Sequence, residues 1–203
     1  MAEALDRAAP AGFPRRFVPQ AALGAGVAYE TFIAETGCVP TRDNLHDFFN
    51  GLVWLQHPAL KLQLNVWQAA ELGRRGSSGP RGALRDALTL FDESGAVLDA
   101  PAPLVDALRR RDWPELFLRL RPRWAEARLE IVGHALFEQL AAAPRKPLVA
   151  FVVAADPLDL SEADWATKPF LPLPVLGVPG WWPGNGEADF YADDAVFRPA
   201  RRP

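Results

Sequence analysis

The clearest alternation of hydrophobic and polar positions along this chain lies between Thr41 and Val53. Apolar residues recur there at the three- and four-residue spacing of one helix face. Thr41 is suited to cap the start of this helix. A second helix is predicted from Pro58 to Gly73, because proline fits the first position of a helix and glycine commonly follows its end. An earlier helix is predicted over residues 20–35.

Later in the chain the pattern changes to short apolar runs. Two such runs surround the turn-forming stretch Asp92–Gly95, which predicts a β-hairpin near residues 87–99. Residues 128–132 and 148–153 are further predicted strands, with a helix over 134–142 between them. The order of elements predicts an α+β fold with a helix-rich N-terminal half and a small, mostly antiparallel sheet.

The C-terminal segment 168–203 combines many prolines and glycines with large apolar side chains. Prolines and glycines exclude a long helix or a central strand. Disordered tails are poor in large apolar residues, so we expect an ordered, extended arm that wraps the body of the protein. Residues 1–18 are expected to be a loose leader, and residues 19–203 a single α+β domain that includes this arm.

Composition narrows the functional classes. The formal net charge of −3 argues against nucleic-acid binding, which requires a basic face. The chain has one cysteine, Cys38, and no signal-peptide pattern or apolar run long enough to cross a bilayer. A cytoplasmic protein without a membrane partner is therefore expected, as a monomer or a homodimer. A homodimer would result if two copies exchanged their C-terminal arms.

The first candidate site residues lie on the helix that follows Thr41. His46, Asp47 and Asn50 occupy the face opposite the apolar residues, and Trp54 continues that face by one turn. A solvated surface is one interpretation of such a face. Surface faces usually carry lysine, glutamate and arginine, however, so this composition also fits the lining of a cleft.

A second candidate pair is formed by His134 and Glu138, which are one helical turn apart. This spacing allows two side chains to converge on one metal ion or one proton, although it is equally the spacing of an ordinary surface pair. If the two helices face each other, His46, Asp47, His134 and Glu138 would form a general acid/base or metal constellation. A divalent metal is thus compatible with the sequence, which contains no phosphate-binding or dinucleotide-binding glycine motif.

Four further residues are candidates for binding a small-molecule substrate besides Asn50. Arg85 is suited to pair with an anionic group, or with a neighbouring carboxylate. Asp92 lies in the predicted hairpin turn, where an aspartate usually bonds its own backbone. Trp181 and Trp182 form either an aromatic platform for a ligand or a plug that fixes the arm to the core.

Four blocks of the chain resemble a bacterial family known as domain of unknown function 3025. They are TRDNLHDFFNGLVWLQHPALKLQLN, RGALRDALTLFDESG, GHALFE, and PLPVLGVPGWWPGN followed by FYADDAVFRP. The resemblance implies that the arm is an integral part of the domain. It implies no activity, cofactor or substrate, because none is established for that family.

Two functional hypotheses follow. The first is a small hydrolase-like enzyme with a His/carboxylate pocket, with or without a metal ion, in which one pair acts as a base toward water. The second is a non-catalytic interaction protein that presents the proline- and tryptophan-rich arm to a partner. Burial of Trp181, Trp182 and Phe190 distinguishes the two, since buried aromatic side chains are part of the structure.

Overall fold

The computed structural model describes residues 1–75, 82–142 and 147–199. The predicted α+β class is confirmed. The helices are α1 (Ala2–Ala8), α2 (Tyr29–Thr36), α3 (Leu45–Gln56), α4 (Pro58–Arg75), α5 (Ala83–Ser94), α6 (Ala102–Arg110), α7 (His134–Ala141) and α8 (Glu162–Ala166). The strands are β1 (Arg16–Pro19), β2 (Cys38–Thr41), β3 (Gly95–Asp99), β4 (Arg128–Ile131), β5 (Val149–Val153) and β6 (Leu171–Pro174). No helix among the described residues is both long enough and apolar enough to cross a membrane.

The chain forms two compact units. Unit 1 comprises Met1–Glu93 and Leu158–Lys168, and unit 2 comprises Ser94–Pro157 and Pro169–Pro203. The chain therefore passes between the units three times. The single domain predicted over residues 19–203 stays a prediction.

The first eighteen residues, expected to be a loose leader, contain regular structure in unit 1. Leu5 of α1 is buried together with Phe17 of β1, and both belong to one apolar cluster. β1 pairs in parallel with β2, with Phe17 opposite Val39. A leucine and a phenylalanine spaced to reach the same core provide the apolar area that orders this short segment.

The N-cap of helix α3 lies three residues later than predicted. Asn44 is the N-cap, and its side-chain oxygen accepts a hydrogen bond of 2.7 Å from the backbone N–H of Asp47. Thr41 instead ends β2. Both residue types cap helices, and here the strand that pairs with β1 extends through Thr41.

The hairpin predicted near residues 87–99 is wrong. Residues 83–94 form α5, and β3 follows it directly at Gly95. The buried residues Leu84, Ala87, Leu88 and Phe91 have helical spacing, and Phe91 packs edge-on against Trp165 of α8 at 4.9 Å between ring centroids. The apolar run from residue 87 is too short to distinguish a strand from a buried helix. Leu84 favours the helix, because it lies one helical turn before Leu88 and extends the spacing beyond that run.

Unit 2 contains a four-stranded sheet in the order β4-β3-β5-β6. The sheet is mixed: both outer pairs are antiparallel, in line with the prediction, whereas the central pair β3–β5 is parallel. Pro172 and Pro174 lie on β6, which is an edge strand, where a missing N–H costs no ladder hydrogen bond. The buried core of this unit includes Ala150 and Val152 of β5 and Leu104 and Leu108 of α6.

The part of the C-terminal segment that lies in unit 2 contributes to its core. Tyr191 and Phe197 pack around Phe117 with ring centroids 5.2 and 5.9 Å away. The side chain of the buried Asn185 donates hydrogen bonds to the backbone carbonyls of Leu176 and Val178, at 3.0 and 2.7 Å. These bonds satisfy backbone groups that regular secondary structure would otherwise satisfy. A chain rich in proline is thus held by side-chain hydrogen bonds and aromatic packing.

Candidate functional site

A lysine is buried among polar side chains in unit 1. Lys61 of α4 is 5% exposed, and its ammonium group forms an ion pair with the Asp92 carboxylate of α5. The same Nζ donates to Asn50 Oδ1 over 2.9 Å and lies 5.4 Å from the centre of the Trp54 ring. A buried ammonium requires such compensation, because an isolated charge in a protein interior is very costly.

Helix spacing explains how these groups come together. Asn50 and Trp54 are one turn apart on α3, so both face Lys61. Lys61 lies on α4 one turn before Asn65, and both side chains are buried. The α3 face that the sequence indicated as a cleft lining is therefore turned toward the interior of unit 1.

The network continues to the first turn of α2. Asn50 Nδ2 donates to Tyr29 Oη at 3.0 Å. Asn65 Nδ2 donates to a carboxylate oxygen of Glu30 at 2.6 Å and to the Glu30 backbone carbonyl at 2.9 Å. We refer to six residues as the unit 1 polar cluster: Tyr29, Glu30, Asn50, Lys61, Asn65 and Asp92.

Five of the six residues of the polar cluster line a small cavity. Its lining includes Tyr29, Glu30, Lys61, Asn65 and Asp92, and it offers about 10 Å³ to the centre of a water molecule. That is room for about one water. Within the described part of the chain, the buried Oδ1 of Asn65 accepts no hydrogen bond. A water molecule in this cavity would therefore meet an available acceptor as well as charged groups.

The environment changes the acidity of two groups in this cluster. Burial, together with the negative charge of Asp92, raises the pKa of Glu30 to about 7, although the Asn65 hydrogen bond and the charges of Lys61 and Arg85 oppose this. Burial also raises the pKa of Tyr29 far above its usual range, reinforced by the charge of Glu30. Tyr29 is therefore a neutral phenol, whereas Glu30 exchanges a proton near neutral pH.

Asp47, predicted as part of the acid/base constellation, is paired with Arg42 at the start of α3. It accepts hydrogen bonds from the backbone N–H of Arg42 at 2.6 Å and from Arg42 Nη2 at 2.8 Å. Burial raises the pKa of Asp47, but these hydrogen bonds and the Arg42 charge outweigh it, so the pKa is lowered overall. Asp47 is thus a permanently charged anchor for the start of α3.

His46 lies one turn before Asn50 on α3. A ring nitrogen of His46 and a carboxylate oxygen of Glu93 come within 4.8 Å of each other. Glu93 follows Asp92 on α5. The His46–Glu93 pair therefore joins the same two helices, α3 and α5, that contribute Asn50 and Asp92 to the polar cluster. A histidine nitrogen and a carboxylate oxygen at this separation are able to bind one divalent ion.

The remaining predicted site residues lie in both units. His134, which is buried, and Glu138 are on α7 of unit 2, so the predicted convergence with His46 and Asp47 joins residues of two units and stays a prediction. Arg85 lies on α5, and its buried Nε makes no hydrogen bond to the described residues. Asp92 is in α5 and not in a turn.

The two tryptophans of the C-terminal segment differ. Trp182 packs against the core of unit 2, whereas Trp181 is 39% exposed. Trp182 therefore acts as a structural plug, and Trp181 has a large face in contact with solvent.

Sequence reasoning missed Tyr29, Glu30, Lys61 and Asn65. A signal was present in α4, where Lys61, Asn65 and Gln68 have helical spacing directly beside the buried Leu60 and Leu64. A polar stripe within an apolar face indicates buried polar groups. For Glu30 the sequence shows only a short helix with few apolar residues.

The fold and the cluster define the class: an α+β protein with a buried set of ionisable groups in its helical unit. The family described as "Protein of unknown function (DUF3025)" matches residues 15–159 and 152–201, which is most of the chain. The chain belongs to this family. No curated protein and no solved structure matches it.

Proposed function

We propose that the protein is a hydrolase-like enzyme in which Glu30 acts as a general base toward a water molecule in the unit 1 polar cluster. The observation that carries this proposal is the cavity itself. A carboxylate, an ammonium group, a phenol and an amide oxygen surround a space of about one water. Purely structural ion pairs do not require such a space beside them.

Each group has a role that its contacts support. Glu30 takes a proton from the water, and Asn65 fixes the Glu30 carboxylate through its 2.6 Å hydrogen bond. Lys61, held by Asp92, stabilises the negative charge that develops as water attacks. Tyr29, which stays neutral, is a hydrogen-bond donor for the substrate.

The substrate has to approach from outside the cavity, which accommodates water alone. The Asp92 side chain is 14% exposed, and Glu30 is partly exposed. A small molecule with an electrophilic carbon or phosphorus atom would reach the activated water where these groups meet solvent. His46 and Glu93 are the residues that a metal-assisted form of the mechanism would use as ligands.

The experiment is a screen of the purified protein with p-nitrophenyl esters, phosphates and glycosides. Glu30→Gln should lower the rate about 100-fold or more, the usual contribution of a general base. The rate of the native protein should also decline below pH 7, as Glu30 becomes protonated. Glu35→Gln, which removes an exposed carboxylate of the same helix, is the matched control. A Glu30→Gln protein with an unchanged rate would exclude this mechanism.

The alternative is a non-catalytic interaction protein, and the exposed Trp181 is the observation that favours it. The burial of neighbouring aromatic residues in unit 2 limits this surface to a small part of the C-terminal segment. If a second copy is the partner, sedimentation velocity should show a dimer that Trp181→Ala converts to a monomer. A monomeric native protein would exclude that partner.

A further inference from the structure

Unit 2 contains a cavity that the proposed hydrolase mechanism does not use. It has a volume of about 220 Å³. Apolar side chains from three parts of the unit line it, among them Val149 of β5, Pro174 of β6 and Val196 near the C-terminal end. A cavity of about 150 Å³ is sufficient for benzene, so this one accommodates a somewhat larger molecule.

Two arginines are part of the same lining, Arg111 and Arg198. In the described part of the chain neither guanidinium forms an ion pair, although most other arginines near Arg111 do, such as Arg109 with Asp106 and Arg119 with Glu115. Among the described residues that line the cavity, none is acidic. Two positive charges beside an apolar cavity are complementary to a ligand that has one anionic group and an apolar body.

The backbone on both sides of the cavity is fixed. Arg111 is the C-cap of α6 and has the left-handed conformation with φ of 53°, an uncommon state for a residue other than glycine. Trp113 is buried, stacks on Phe117, and donates from Nε1 to the Arg198 carbonyl at 2.9 Å. The two arginine backbones are thus held at one cavity before any ligand arrives, which reduces the entropic cost of binding.

We infer that this cavity is a binding site for a small organic monocarboxylate, with the carboxylate at Arg111 and Arg198 and the apolar body among the valines and prolines. A carboxylate is favoured because guanidinium groups bind it through paired, charge-assisted hydrogen bonds. The volume limits the body to about one aromatic ring or a short alkyl chain.

The test uses the full-length protein and sodium phenylacetate, with calorimetric or NMR titration. Saturable binding to one site with a Kd of about 1 mM or lower is expected for a ligand of this size. Phenylacetamide, which has the same ring and no charge, should bind at least tenfold more weakly. Arg111→Asn, which tolerates the left-handed conformation, and Arg198→Gln should each weaken phenylacetate binding about tenfold or more.

The matched control is Arg110→Gln, which removes an exposed arginine of α6 one residue away and should leave the Kd unchanged. Melting curves establish that each variant is folded, and either arginine variant alone is sufficient for the test. Absence of saturable binding by the native protein would overturn the inference. Equal binding of phenylacetamide, or equal loss in Arg110→Gln, would also overturn it.

Discussion

The pKa of Glu30 predicts a stability that depends on pH in a defined window. An ordinary glutamate ionises near 4.5, whereas in the folded protein Glu30 does so at about 7. Between these values the folded state binds more protons than the unfolded state. The free energy of unfolding therefore decreases as pH rises from 4.5 to 7, and the lost contribution does not return at higher pH.

The magnitude follows from the same two values. At about 1.4 kcal/mol per pH unit, the interval from 4.5 to 7 corresponds to about 3.5 kcal/mol. Partial exposure of Glu30 to solvent reduces this, so we expect about 2 kcal/mol. Glu30→Gln keeps an acceptor for Asn65 but carries no charge. Its stability relative to the native protein should rise by this amount between pH 4.5 and pH 8.

The assay is urea unfolding of both proteins across that pH range, followed by fluorescence. Glu35→Gln provides the control for removing an exposed carboxylate from α2, and its stability relative to the native protein should be the same at both ends of the range. A Glu30→Gln protein whose relative stability is also independent of pH would refute the reasoning, because Glu30 would then have the same acidity in both states.

Three other predictions concern packing, the ion pair and metal binding. Gly177→Ala should reduce stability by about 1–3 kcal/mol in thermal melts, since its Cβ would lie 2.8 Å from the Phe117 ring. The control is Gly186→Ala, which has open space around it and should change stability by less than about 0.5 kcal/mol. Lys61→Met should cost about 3–5 kcal/mol, because it removes the ammonium group that balances the Asp92 charge. Adding Asp92→Leu should recover most of this loss, and no recovery would mean that the ion pair is not the cause. If His46 binds a metal, elemental analysis should find a stoichiometric ion that His46→Ala loses, and a metal-free protein unaffected by chelators would contradict the metal-assisted form.

Much of the fold could be predicted because long helices leave a strong periodic signal. α3 and α4 were predicted close to their observed bounds from apolar spacing and from Pro58. The segment at residue 87 was misassigned because short apolar runs fit a strand and a buried helix equally well. The mixed sheet order could not be predicted, since pairing between β3 and β5 depends on contacts between distant parts of the chain.

The candidate site was predictable only in part. The α3 face was identified through Asn50 and Trp54, whose residue types are unusual for a solvated surface. Lys61 and Glu30 were not, because a lysine or a glutamate on a helix is most often exposed. Their burial depends on the approach of four helices, α2 to α5, in unit 1, and no local pattern encodes that approach.

The ionisable side chains in the interior of unit 1 support a functional interpretation of the polar cluster. A core that serves stability alone would be at least as stable with apolar residues in place of Lys61 and Asp92, because a buried ion pair rarely exceeds the cost of desolvating it. Glu30 lies in the same cluster, and its ionised form opposes folding at neutral pH. Positions where a sequence departs from the rules of stable packing are expected at functional sites. The polar cluster departs from the rules of stable packing beside a cavity that fits one water molecule. There Glu30, with a pKa of about 7, is suited to accept a proton from that water.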